Sequence, residues 1–165
     1  ALLSIINTSY IKNILGIIIV GFLLIQQSSA LGQYAAATNI IQSQDKFLAF
    51  DLYKRISEVN SNFNPEDTHY VDIYGYKSIE TIYPSVPTST INSSFFDWDA
   101  GNMSRMISFM RLIGYSNIKM VNKEIIKRDN IHFNRMPSYP NKGSVEYIDG
   151  VYLIKLGSKP DVYRR

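Results

Sequence analysis

The sequence predicts an α/β protein, with one N-terminal transmembrane helix followed by a small mixed α/β domain of about four strands and a C-terminal β-hairpin. Three observations carry that prediction. Residues 14–25 read ILGIIIVGFLLI, twelve residues without a polar side chain. Lys12 is the only charged residue before Asp45, so nearly all charge is confined to the rest of the chain. Beyond residue 33, segments with helical and strand periodicity alternate and end in an Asp-Gly hairpin.

The apolar segment comes first. Ile11–Leu31 is 21 residues long, and a helix needs about 20 to cross the hydrocarbon core. Two readings stand side by side. A membrane helix is favoured by the length, and by Leu2, Leu3, Ile5 and Ile6, which make a poor leader for a signal peptide. A signal peptide is favoured by Ser28-Ser29-Ala30, small residues after a short apolar run. A buried soluble helix is a third option. Lys12 and Lys46 nearly balance, so charge does not orient the segment. The expected division is a transmembrane helix and preceding loop at 1–32 and a domain at 33–165.

A second helical pattern follows a bend expected near Gly32. Tyr34, Ala37, Ile41, Leu48, Leu52, Ile56 and Val59 recur mostly at three- and four-residue steps, and Asn60–Pro65 ends the pattern. In HYVDIYGY, Val71, Ile73 and Gly75 alternate with Tyr70, Asp72, Tyr74 and Tyr76, which is strand period. Residues 84–94, PSVPTSTINSS, form a long loop.

The helix after DWD has Met103, Met106, Ile107, Met110 and Ile113 on one face and Ser104, Ser108 and Arg111 opposite, with Gly114 suited to close it. NIKMV is a second strand, with Ile118 and Met120 on one face, and a short helix is expected at Lys123–Arg128. In SVEYIDGVYLIKL, Asp149-Gly150 supplies a type I′ turn. It pairs Ile148 with Val151, Tyr147 with Tyr152 and Val145 with Ile154. Val145, Tyr147, Tyr152, Ile154 and Leu156 then form the core face, and Glu146, Ile148, Val151, Leu153 and Lys155 the other.

Composition narrows the chemistry. Residues 45–165 carry a net charge of +2, too small and too mixed for a nucleic-acid surface. The chain has no Cys, which removes disulfides and thiolate metal sites. There is no phosphate loop, no nucleophile elbow and no His-x-x-x-His, and His69 and His132 lie far apart in sequence. No metal or cofactor is implied. Twelve Tyr and eight Phe suit either sheet packing or a surface that stacks on sugars or partners. Asn7, Asn92 and Asn102 each begin an Asn-x-Ser/Thr triplet, a loose pattern.

The candidate site is the stretch DWDAGNMSRM. Asp99 stands where an N-cap belongs, opening a helix over 100–113. Asp97 and Trp98 are expected to face solvent. An aromatic plate flanked by carboxylates suits a sugar, and Arg105 suits an anionic group. The substrate-binding candidates are therefore Asp97, Trp98, Asp99 and Arg105; no residue stands out as catalytic.

The order of elements, a helix like QYAAATNIIQSQDKFLAFDLYKRI and the segment SFFDWDAGNMSRMISFMRLIGY resemble the C-terminal end of the serotype-converting O-antigen glucosyltransferases. These are polytopic inner-membrane proteins of enteric bacteria and their phages. The resemblance implies transfer of glucose from an undecaprenyl-phosphate-linked donor to O-antigen, a lipopolysaccharide component. It implies a last membrane helix in the inner membrane and a periplasmic domain that positions the acceptor glycan. The donor would reach this domain through a membrane body that the chain does not contain, so no catalytic residue is carried over. The rival expectation is a tethered or exported binding module without a transferase.

Overall fold

The computed structural model describes residues 8–78, 94–97, 99, 101–122 and 131–158. The expected loop at 84–94, apart from Ser94, and the expected helix at Lys123–Arg128 lie outside them, as do Asn7, Asn92 and Trp98.

The chain is an α/β protein with a long N-terminal helix and a four-stranded mixed sheet. Helix α1 spans Thr8–Val59, 52 residues, and is therefore about 78 Å long. The helix continues unbroken through Gly32, because the hydrogen-bond ladder needs only that each residue tolerate helical dihedrals, which glycine does. Between Tyr10 and Tyr34, large apolar side chains including Ile17, Phe22 and Ile25 are exposed on every face. That stretch is long and apolar enough to cross a membrane. Beyond it the helix becomes one-sided. Ala37, Ile41, Asp45, Leu48, Leu52 and Ile56 are buried, a stripe at helical spacing. Val59 ends α1, and a turn with Phe63 N–H donating to Asn60 O at 3.0 Å follows.

The strands are β1 (His69–Tyr74), β2 (Ile118–Met120), β3 (Val145–Ile148) and β4 (Val151–Lys155), and helix α2 (Met103–Leu112) lies between β1 and β2. Their order across the sheet is β2-β1-β4-β3. β1 is parallel to both β2 and β4, and β3–β4 is the antiparallel hairpin. Its register follows the expectation, with Ile148 opposite Val151, Tyr147 opposite Tyr152 and Val145 opposite Ile154. Asp149 and Gly150 take the positive φ angles of 49° and 84° that the turn requires.

The sheet is covered on both sides, which corrects the one-sided core expected for the hairpin. One face packs on α1 and α2 through Leu52, Ile56, Val71, Met110, Ile118 and Ile154. The other face carries a second cluster of Val121, Phe133, Met136, Val151 and Leu153. A helical turn at 131–135 lies there, tied down by Lys155 Nζ donating to Phe133 O at 2.7 Å and Met136 O at 2.8 Å. β4 is an inner strand, so Leu153 and Ile154 are both fully buried. β3 is an edge strand, so Tyr147, expected in the core, is 42% exposed and lies against Tyr152. Met120 on edge strand β2 is likewise exposed, whereas Ile118 is buried.

Helix α2 buries Met106, Ile107, Phe109 and Met110 and ends as expected at Gly114. Gly114 N–H donates to Arg111 O and Tyr115 N–H to Met110 O, the paired bonds of a Schellman cap. At the other end the Met103 thioether accepts the Ile73 N–H at 3.2 Å. Pairing with β2 reaches only Val71 on β1, so the start of α2 takes over the donor that β2 leaves unpaired.

Candidate functional site

The DWD segment lies over the carboxyl end of β1. Lys77 N–H donates to Phe96 O at 3.0 Å, and Ser78 Oγ donates to Asp97 Oδ2 at 3.1 Å. In sheets with parallel strands this end is where ligands bind, because the loops leaving adjacent strands diverge there and open a crevice.

Three glycines let the backbones meet at this end. A Cβ on Gly75 would come within 2.2 Å of Gly157 O, and one on Gly101 within 2.2 Å of Gly75 O. Gly75 and Gly101 have φ of 80° and 88°, in the left-handed region. The chain beyond β4, the chain beyond β1 and the approach to α2 thus stack backbone on backbone.

That packing explains why Asp99 is not the helix cap. Asp99 has φ 53°, left-handed rather than the extended backbone of an N-cap. The chain is still turning through Gly101, and α2 begins only at Met103. Asn102 is the N-cap, with φ −68° and ψ 105°, and its side chain accepts from Arg105 N–H at 3.4 Å. The expected helix over 100–113 is therefore shorter, and the capping role belongs to a neighbour three residues on. Asp99 instead pairs with Arg105, its Oδ2 lying 3.0 Å from Nε. Both side chains are well exposed, so the pair contributes little to stability, about 0–1 kcal/mol.

The structure thus brings Asp97, Asp99 and Arg105 to one end of the sheet. Asp97 is half-buried and Asp99 exposed. Beside them a shallow depression of about 200 Å³ is lined by Phe95, Ser104, Arg105, Ser108, Phe109 and Leu112. Phe95 and Phe109 stack with ring centroids 4.5 Å apart and form its floor. The depression offers two hydroxyls, a guanidinium and an apolar floor. It is smaller than the usual enclosed ligand pocket of about 300–1,000 Å³, which suits a surface contact along an extended ligand.

Asp45 is the residue that sequence reasoning missed. It is 1% exposed on α1, accepts from Ser94 Oγ at 2.5 Å and from Phe95 N–H at 3.0 Å, and so fixes the start of the DWD turn to the long helix. Ser94 Oγ in turn accepts from Phe96 N–H at 3.0 Å. Burial raises the Asp45 carboxyl above the ordinary aspartate value; the bonds from Ser94 and Phe95 oppose the rise, and the nearby charge of Asp97 adds to it. A signal was present in the sequence. The apolar stripe jumps from Ile41 to Leu48, and Asp45 occupies the omitted core position.

The contacts also orient the site. Asp45 holds the Ser94–Phe95 turn that lies over the carboxyl end of β1, whereas Tyr53 Oη, two turns later, accepts from Asn117 Nδ2 at 3.0 Å. Asn117 O accepts from His69 N–H, at the amino ends of β1 and β2. Asp45 thus holds the candidate site about two helical turns nearer the apolar span than the Tyr53–Asn117 contact. At 1.5 Å per residue, Asp45 stands about 21 Å along the axis from Leu31.

No group of His, Asp and Glu able to hold a metal occurs among the described residues. His69 is buried, stacked on Phe63 with its Nε2 donating to Asn64 O at 2.9 Å. His132 lies in the helical turn under the opposite face of the sheet.

No protein-family model matches the chain, and no curated protein or solved structure matches it either.

Proposed function

We propose that this chain is the C-terminal part of a membrane glucosyltransferase of the O-antigen-modifying kind, anchored in the bacterial inner membrane with its α/β domain in the periplasm. In this reading the domain holds the acceptor glycan over the bilayer, where glucose arrives on a lipid-linked donor handled by the rest of the enzyme. The supporting observation is the bond between Asp45 and Ser94–Phe95. It ties the DWD surface to a helix that is continuous with the apolar span, at a set distance along that helix. A platform for an acceptor of a lipid-linked sugar needs both properties, since reacting groups must be held within about 3–3.5 Å to gain from proximity.

Inserting four alanines between Gly32 and Gln33 in the full-length enzyme tests this. The insertion lifts the domain by about 6 Å and leaves its packing untouched. Glucosylation of O-antigen should fall at least tenfold, with the protein still folded and in the membrane. Unchanged transfer would mean that height is irrelevant and the reading is wrong. The second reading, a tethered or exported module without a transferase, rests on the same exposed surface. Upstream coding sequence separates the two, because about eight or more further apolar stretches of ~20 residues belong only to the transferase.

A further inference from the structure

A second concave feature lies away from the DWD surface, between the last two turns of α1 and the loop that leads into β3. It has a volume of about 480 Å³ and is walled by Asp51, Lys54, Arg55, Glu58, Lys142 and Val145, among others. That volume falls within the usual range of small-molecule sites, about 300–1,000 Å³.

Arg55 is its fixed centre. Nε lies 2.7 Å from Asp51 Oδ2, Nη1 faces Asn141 O at 3.4 Å and Ser144 Oγ at 3.5 Å, and the guanidinium lies 5.0 Å from the Tyr139 ring centroid. Four groups thus hold a side chain that is still a quarter exposed. A guanidinium held this way has already lost its rotamer freedom, which lowers the entropic cost of receiving an oxyanion. Lys54 and Lys142 add two exposed ammonium groups at the rim. Asp51, bonded to Arg55 through Oδ2, and Glu58, paired with Lys54 at 3.7 Å, keep further carboxylate lone pairs, so the lining presents acceptors as well as cations. With the apolar span ending near Leu31, the cleft lies beyond the headgroup layer. Asp51 lies 20 residues beyond Leu31, about 30 Å along the axis, whereas the headgroup layer adds only about 5–8 Å to each side of the hydrocarbon core.

We propose that this cleft is a binding site for an anionic carbohydrate, a sugar that carries a carboxylate or phosphate and comes from the aqueous side. The anion meets Arg55, Lys54 and Lys142, and the hydroxyls meet Asp51 and Glu58. The site does not depend on the glucosyltransferase reading.

Titration calorimetry of the full chain in detergent tests it, with glucuronate, glucose 1-phosphate, inorganic phosphate and methyl glucoside as probes. At least one of the two sugar anions should bind saturably with Kd below about 10 mM, and which of them does so identifies the anion. Methyl glucoside and inorganic phosphate should each bind at least about tenfold more weakly. Substituting Lys54→Ala and Lys142→Ala together should weaken the sugar anion by about tenfold or more. Lys54 makes an exposed pair with Glu58, which contributes little to stability, so the thermal unfolding curve should shift little and serves as the control. Absence of saturable binding by both sugar anions overturns the proposal. So does binding that the double substitution leaves unchanged, and so does inorganic phosphate binding as tightly as the sugar anion.

Discussion

Asp45 and Ser94, 49 residues apart in sequence, share a buried hydrogen bond of 2.5 Å that joins the long helix to the turn carrying the candidate site. The same carboxylate takes the Phe95 N–H. Asp45→Ala leaves both donors unsatisfied in a closed environment and should cost about 1–3 kcal/mol for each that finds no new partner. Asp45→Asn keeps the shape and one acceptor and should cost less. Chemical denaturation of the three proteins checks the order.

The same residue sets a pH dependence. Its folded carboxyl titrates above the ordinary value of 3.8, mainly because it is buried. The folded state therefore binds the proton more tightly than the unfolded chain, and stability falls as pH rises from about 3.8 through the folded value. Below that window the contribution is fully favourable, and above it the carboxylate is buried at full cost. Asp45→Asn removes this component, so the difference in stability between wild type and variant should shift in favour of the variant as pH rises across the window. Unfolding curves at several acidic pH values would show a constant difference if Asp45 were not the source.

The corrected cap gives a sharper test than the sequence allowed. Asn102→Ala should destabilise the domain by about 0.5–2 kcal/mol, because it removes the side chain that accepts from Arg105 N–H. Asp99→Ala should change stability by less than about 1 kcal/mol, since it removes only an exposed ion pair. Equal losses from the two would restore Asp99 as the cap.

If the proposed glucosyltransferase reading holds, Trp98→Ala should lower glucosylation by the full-length enzyme ten- to a hundredfold and leave the domain folded, the loss expected of an aromatic plate contributing about 1–3 kcal/mol. Asp97→Asn should act in the same direction, with one carboxylate oxygen already held by Ser78. Unfolding of Trp98→Ala would assign the ring to the core. Intact activity would leave the DWD surface without a role in acceptor binding.

Gly101→Ala should be among the most damaging single methyl additions in the chain. It combines a φ of 88° with a Cβ placed 2.2 Å from a backbone oxygen, and should cost more than about 2 kcal/mol. Gly114→Ala, with φ 119° but nothing near its Cβ, should cost less. Comparing the two melting temperatures isolates the steric part.

Elements ruled by local chemistry were legible in the sequence. The Asp149-Gly150 turn, the register it imposes and the Gly114 cap all follow from dihedral preferences of one or two residues. Features that depend on what lies across the fold were not. Leu153 and Ile154 read as opposite faces with one face outward, yet a segment ending at Met136 covers the outward one. Asp99 reads as a cap, yet the close approach of Gly101 to Gly75 delays the helix by three residues. The DWD stretch was recognisable as the place where carboxylates and Arg105 gather. Its anchoring by Asp45 required the fold, although a carboxylate at a core position of an apolar stripe is a pattern that can be looked for.

The glycine stack also sets an order of manufacture. Gly157 follows Gly101 by 56 residues, which at ~5–20 residues per second takes a ribosome roughly 3–11 s. During that interval α1 and the whole DWD segment have been synthesised, but β4, an inner strand of the sheet, and the backbone against which Gly75 packs have not. The long helix is thus complete well before the glycine stack can close. A chain released before Gly157 would carry all of α1 and the DWD segment but lack the backbone that closes the glycine stack.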